Sequence, residues 1–213
     1  MVKIAKNLTN VNFTPMNNKQ NKYIVIHYVG AVSTALNNTA YFKNTYRGAS
    51  AHYFVDENAI FQCVEDTNKA WHVGAKVYYN GARNENSIGI EMCCKKKNGR
   101  WYFEPETERN TMALTKQLMD KWNIPITNVC RHYDVTRKIC GEPYVSNFEA
   151  WQNFLKGVQE MEQVTREEKE QLIKDMGGFD NNTIKFFEFY KYNEALIDKL
   201  YDMALYKKKA ING

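Results

Sequence analysis

Four histidines, five cysteines and one carboxylate inside an apolar run are the groups in this chain that could do chemistry. Taken singly, His27, His52, His72 and His132 each read first as a hydrogen-bonded structural residue. Position changes that for His27, which sits in the middle of Tyr23-Ile24-Val25-Ile26-His27-Tyr28-Val29, a short β-rich run. On a strand of period two its ring shares a face with Tyr23, Val25 and Val29, where an imidazole needs a partner. A metal ion would supply one. His132 lies in Cys130-Arg131-His132-Tyr133-Asp134, and Cys140 follows eight residues after it. Two histidines and a cysteine make a three-ligand zinc set whose fourth position stays open to water. Cys130 is the alternative fourth ligand: on a strand Cys130 and His132 point the same way, and a closed site would be structural. Spacing leaves both readings open.

Glu91 interrupts the apolar run Ile88-Gly89-Ile90-Glu91-Met92-Cys93-Cys94. A carboxylate there is costly unless it is paired, hydrogen-bonded or facing a cavity. Gly89 and Cys93 share its face and leave room for a ligand. Desolvation favours the neutral acid, which suits a group that takes and returns a proton near neutral pH. A buried Arg or Lys paired with Glu91 would explain the same position without chemistry.

These residues need a scaffold, and the sequence outlines one. Tyr23 to Val29 reads as a buried strand, and Thr34 to Tyr46 as a helix closed by Gly48. His52 to Val55 and Ile60 to Val64 bracket Asp56-Glu57-Asn58 and read as a hairpin. Ile88 to Cys94 is a further apolar run, ended by a polar turn at Lys95-Lys96-Lys97-Asn98-Gly99 from which Trp101 to Phe103 returns. Thr107 to Trp122 is an amphipathic helix carrying Leu114, Leu118 and Trp122 on one face. Ile126 to Cys130 is a short strand and Phe148 to Val158 a helix. Strands alternating with helices imply an α/β sheet with helices on its faces.

Near residue 160 the composition shifts. Thr165-Arg166-Glu167-Glu168 has the form of a capping box, and its helix stops near Gly177-Gly178. A second helix runs from about Thr183 to about Lys207, with aromatic residues on more than one stripe. That surface needs a partner: the neighbouring helix, the main domain or a second copy of the chain.

Composition narrows the class. The chain has 213 residues, 44% hydrophobic and 25% charged, which excludes disorder. No apolar run approaches ~20 residues, so no membrane insertion is expected. The first ten residues lack the apolar core of a signal peptide, which places the start of the protein's life in the cytosol. Five cysteines without a CxxC pair fit a reduced compartment and no structural disulfide. Residues 1–158 carry 20 Lys+Arg against 13 Asp+Glu, a net +7, while residues 159–213 carry 9 against 11, a net −2. A basic front favours a polyanionic partner such as nucleic acid or an anionic cell wall, and a solvated surface explains it equally. Nucleic acid is the weaker partner, because no CxxC pair and no helix of clustered Lys/Arg supports it.

Five blocks occur in an order that resembles the zinc-dependent N-acetylmuramoyl-L-alanine amidases of the type-2 amidase family, which includes phage lysozyme-like amidases and peptidoglycan recognition proteins. They are Tyr23-Ile24-Val25-Ile26-His27-Tyr28, Ser50-Ala51-His52-Tyr53-Phe54-Val55-Asp56, Ala70-Trp71-His72-Val73-Gly74, Asn86-Ser87-Ile88-Gly89-Ile90-Glu91, and Arg131-His132-Tyr133-Asp134 with Arg137-Lys138-Ile139-Cys140. The resemblance implies a mixed central β-sheet flanked by helices over residues 1–159, with the all-α unit of 160–213 outside it. It implies Zn2+ held by His27, His132 and Cys140, Glu91 as general base toward zinc-activated water, and Lys138 opposing charge on the carbonyl oxygen. Tyr28, Trp71 and His72 would contact substrate. The bond cut would join N-acetylmuramic acid to L-alanine in bacterial peptidoglycan.

Two departures stand out. Ala51 replaces an aromatic residue of the phage branch, so no tyrosine role carries over there. Gly141-Glu142-Pro143 follows the ligand cysteine where Pro-Gly is usual, which alters the local turn and leaves the thiolate. Recognition-only members lack the cysteine, so Cys140 points to an enzyme. Without a signal peptide, the resemblance implies a phage or prophage endolysin, in the host cytoplasm until lysis and then at the wall. A cytosolic wall-recycling amidase and a non-catalytic peptidoglycan-binding module are the alternatives. The C-terminal helices would bind the wall, form a homo-oligomer or pack on the catalytic domain, and their −2 charge disfavours electrostatic attraction to anionic wall polymers.

Overall fold

Short runs rich in β-branched and aromatic residues pair into one six-stranded sheet. The strands are β1 (Ile4–Lys6), β2 (Tyr23–Tyr28), β3 (Tyr53–Val55), β4 (Ile60–Gln62), β5 (Ser87–Met92) and β8 (Val129–Arg131). Their order is β1-β4-β3-β5-β2-β8, with β3 and β4 antiparallel and every other neighbouring pair parallel. A separate hairpin joins β6 (Lys95–Lys97) to β7 (Arg100–Tyr102). The computed structural model describes residues 3–161, 166–180, 182–183 and 193–212. The chain divides into two compact units, Met1–Met161 and Glu162–Gly213.

Helices α1 (Ala35–Lys43), α2 (Pro105–Trp122), α3 (His132–Thr136), α4 (Glu142–Ser146) and α5 (Phe148–Glu160) complete the first unit. Period-two alternation decides what each strand shows to them. Ile24 and Ile26 of β2, with Ile88, Ile90 and Met92 of β5, pack with Leu114 and Leu118 of α2 and Trp151 and Phe154 of α5. The opposite face of β2 places Val25 beside Cys130, Val73, Ala82 and Val135. His27 shares this second face, and so do Ser87, Gly89 and Glu91 of β5. Asp66 ties the end of α2 to the sheet, accepting from Tyr53 Oη at 2.6 Å, Lys121 Nζ at 2.7 Å and Trp122 Nε1 at 3.2 Å.

The β3–β4 hairpin forms where expected, and its turn is built by Asp56. One carboxylate oxygen accepts from Asn58 N and Ala59 N at 2.8 Å, and the other accepts from Ala35 N at 2.7 Å, which pins the start of α1. Two local expectations need correction. Lys95-Lys96-Lys97 is a strand and not part of the turn, because Asn98 (φ 51°) and Gly99 (φ 78°) supply a two-residue hairpin turn on their own. Ile126–Asn128 is a 3-10 turn, and the strand starts only at Val129. His132 therefore opens α3 and does not share a strand with Cys130.

In the second unit, α6 (Arg166–Gly177) ends at Gly178, whose φ of +71° supplies the left-handed residue that closes a helix. The helix α7 (Asn193–Asn212) extends past Lys207, and Ile197 packs with Ile173 of α6, joined by Phe179, Leu200 and Tyr201. Thr165 of the expected capping box and residues 184–192 lie outside the described residues. Among the described residues no helix is long and apolar enough to cross a membrane.

Leu118 is 1% exposed at the centre of the α2 interface. Leu118→Ala should lower unfolding free energy by about 3 kcal/mol, read as a shifted urea midpoint with an unchanged m-value.

Candidate active site

Two turns of chain bring the predicted ligands to His27. Arg131 clamps the start of α3 through Asp134, with Nη2 to Oδ1 at 2.7 Å and Nε to Oδ2 at 3.0 Å, and its Nη1 donates to the Tyr144 carbonyl of α4. The helix stops at Arg137, which adopts φ 63° and donates its N–H to the Tyr133 carbonyl. The chain then passes Lys138 and Ile139 to Cys140, and Gly141 at φ +74° starts α4. The departure at Gly141-Glu142-Pro143 is thus a helix start, with proline in the first turn where no N–H is needed.

His27, His132 and Cys140 converge, with ligand atoms all within 4.8 Å of one another. His27 Nδ1 lies 3.5 Å from Cys140 Sγ, and the His27 and His132 rings are 4.7 Å apart. A tetrahedral zinc with bonds near 2.1 Å to nitrogen and 2.3 Å to sulfur separates those two ligand types by about 3.6 Å. Both ring nitrogens of buried His132 lack a hydrogen-bond partner, and so does Oε2 of Glu91. Unpaired buried nitrogens are costly, and a divalent cation relieves that cost. The residues present fit a metal ion.

Desolvation sets the protonation of the site. Burial holds the His27 imidazole well below its ordinary range, helped by His72, His132 and Lys138. Burial and Lys138 bring His132 down to about 4. The Cys140 thiol is pushed up to about 12 by burial and by Glu91. Both imidazoles therefore offer lone pairs at neutral pH, and a cation would displace the thiol proton. Glu91 pairs in register with His27 across β2 and β5, with Oε1 4.0 Å from His27 Nδ1. Burial pushes its carboxyl up to about 8, against the pull of Lys138. Lys138 is exposed, and its charge bears on His27, Glu91, His132 and Cys140.

The remaining expected site residues divide. Tyr28 is partly exposed beside the cluster, its ring edge-on to Trp101 and its hydroxyl held above the usual range by burial and by Cys140. Trp71 makes its contacts elsewhere, donating from Nε1 to Thr14 Oγ1 at 2.9 Å and lying against Tyr46. His72 was expected at the substrate, and the structure seals it behind His27. Its Nδ1 is 3.0 Å from His27 Nε2, its Nε2 is 3.1 Å from Ser87 Oγ, and it is 9% exposed. Cys130, the alternative ligand, is buried with Val25 and Val135 and stands outside the ligand set, its thiol hydrogen-bonded by Asn80.

Sequence reasoning missed the layer beneath. Asn84 Oδ1 accepts from the backbone N–H of His72 and Val73 at 3.0 and 2.9 Å and fixes the loop that carries His72. A Cβ on Gly89 would meet the His72 ring at 2.6 Å, so only glycine admits that ring. His52 Nδ1 accepts from Gly89 N–H at 3.0 Å, so a neutral His52 carries its proton on Nε2. That atom faces Lys19 Nζ at 2.9 Å and the Asn68 carbonyl at 3.1 Å. An uncharged Lys19 completes the set, accepting from His52 and donating to the Ser87 carbonyl at 2.9 Å and the Asp66 carbonyl at 3.2 Å. An ammonium would turn a hydrogen against the His52 N–H. Burial accordingly brings Lys19 down to about 7, opposed by Asp66 and Glu85. Ser87 was legible only as a residue on the Glu91 face of its strand, and Lys19 carried no signal.

The family model described as N-acetylmuramoyl-L-alanine amidase matches residues 17–143, which include His27, Glu91, His132 and Cys140. The chain belongs to the Amidase_2 family. An amidase of that name from Bacillus licheniformis, CwlL, is 33% identical over 172 residues, covering 74% of this chain and 47% of its own. The catalytic domain of XlyA superposes with a TM-score of 0.62 at 28% identity, covering 74% of this chain and 99% of that one. A mutant endolysin from Bacillus subtilis gives a TM-score of 0.62 at 29% identity, with the same two coverages of 74% and 99%. The chain spans about half the length of the curated relatives it matches. The amidase-family structures and this one share the mixed sheet flanked by helices.

The buried amine sets a pH dependence of stability. Lys19 titrates near 7 when folded and at an ordinary 10.5 when unfolded, so the unfolded chain binds more protons between those values. The Lys19 contribution to stability should rise through that window by on the order of 1 kcal/mol per pH unit, and its penalty should be fully present below it. In Lys19→Met this rise should be absent from urea midpoints measured between pH 7 and pH 10.

Proposed function

We propose that this chain hydrolyses the amide bond between N-acetylmuramic acid and L-alanine in bacterial peptidoglycan, with zinc held by His27, His132 and Cys140. The observation that carries this reading is a buried unpaired carboxylate oxygen beside His27, His132 and Cys140, whose ligand atoms converge. The family and the names of its relatives support the bond and the substrate. Zinc, when bound, supplies positive charge that polarises a carbonyl and acidifies water. Glu91 takes the proton of the attacking water and returns it to the leaving amine; burial raises its pKa, and the charge of a bound cation would favour the carboxylate that accepts. Lys138 lies at the solvent side of the same loop as Cys140 and opposes charge growing on the carbonyl oxygen. Tyr28 offers a partly exposed ring at the rim for substrate.

The endolysin among the similar structures supports a lytic role, with action at the cell wall after release from the host cytoplasm. The second unit then attaches the enzyme to the wall or joins two copies through its helices. Pelleting with purified walls and sedimentation velocity, for the full chain against a chain ending at Met161, separate these.

Digestion of purified peptidoglycan tests the activity. New L-alanine amino termini without new reducing ends, abolished by a chelator and restored by zinc, are the expected products. Protein retained on walls with no new termini would replace the reading with a binding module. Glu91→Gln should keep zinc and lose at least about 100-fold in turnover. Cys140→Ser should lose zinc on dialysis, and full occupancy in that variant would remove Cys140 from the ligand set.

A further inference from the structure

We infer that Ser87 and His72 fix the tautomer of His27, so that its Nδ1 lone pair faces Cys140 and Glu91 before any metal arrives. The inference rests on the metal reading of His27, His132 and Cys140 and adds two positioning residues to it.

The direction of each hydrogen bond follows from the last acceptor in the chain. Ser87 Oγ lies 2.5 Å from the Arg83 carbonyl oxygen. A carbonyl only accepts, so the single hydroxyl proton of Ser87 is committed there. Ser87 Oγ must then accept from His72, whose Nε2 is 3.1 Å away and so carries a proton. A neutral imidazole has one N–H, which leaves His72 Nδ1 as an acceptor. The group facing it at 3.0 Å is His27 Nε2, which donates. His27 then bears no proton on Nδ1, the atom 3.5 Å from Cys140 Sγ and 4.0 Å from Glu91 Oε1. A backbone carbonyl three bonds removed thus decides which nitrogen of a ligand is free.

The surroundings hold each member in place. His72 is gripped by Asn84 through its own backbone N–H, and its ring lies where only glycine fits at position 89. His27 and Ser87 sit on the neighbouring strands β2 and β5, in parallel register two rows apart from each other's partner positions. Ser87 is fully buried, so no water competes for its hydroxyl. Hydrogen bonds from a ligand's far nitrogen raise its basicity and fix its orientation, and removing them costs about 10–100-fold in metal affinity.

The first test needs no variant. In metal-free protein with 15N-labelled histidine, long-range 1H–15N spectra should show His27 protonated at Nε2 and unprotonated at Nδ1. A proton on Nδ1 overturns the inference. Ser87→Ala should mix the tautomers of His72 and His27 in the same spectra and weaken zinc binding about 10–100-fold by chelator competition. Ser87→Thr keeps the hydroxyl and should restore both. An unchanged spectrum and affinity in Ser87→Ala would also overturn it. The metal reading fails separately: wild-type protein that shows the Nε2–H tautomer and binds no zinc would keep the relay and discard the metal.

Discussion

The register of β2 against β5 is the constraint on which the rest of the site depends. Parallel pairing sets His27 beside Glu91, and the same row order sets Tyr23 beside Ser87. A slip of β2 by one residue would turn His27 into the apolar core, bring Ile26 to the site and leave Glu91 without its partner. The core prevents this, because Ile24, Ile26, Ile88 and Ile90 are all wholly buried against α2 and α5. The hydrophobic face of the sheet therefore specifies the chemical face.

Dryness is the second constraint. Three histidines beneath the surface are held well below their ordinary pKa, and the thiol of Cys140 and the carboxyl of Glu91 are held above theirs. Every one of these shifts has burial as its largest cause. The site is thus built from neutral groups, with the cation Lys138 kept at the solvent side. Lys19 obeys the same rule from beneath: it is nearly inaccessible, and it fits its neighbours as an amine rather than an ammonium. A site of lone pairs and unionised acids has no internal compensation for a buried charge, and it gains from an external cation more than a solvated cluster would.

Strand alternation made His27 and Glu91 visible in the sequence, because a polar residue in an apolar run of period two violates a local rule. The five blocks made the family legible, and the helix of Leu114 and Leu118 followed from its spacing. The expectations that failed did so where local rules compete. Ile126 was apolar enough to read as strand, yet it sits in a 3-10 turn after Pro125. His72 stood next to Trp71 in a block associated with substrate, and nothing in its neighbours revealed that the ring points inward onto Gly89.

By itself the sequence determined the α/β class and marked His27 and Glu91 as polar residues inside apolar strands, because both follow from periodicity. Tertiary structure alone decided that Cys130 is excluded, that His72 lies beneath His27, and that Lys19 meets His52. It also decided which way the protons run. That choice rests on the carbonyl of Arg83, and every residue carries a carbonyl. Only folding places one of them 2.5 Å from a buried serine, and no sequence pattern marks which.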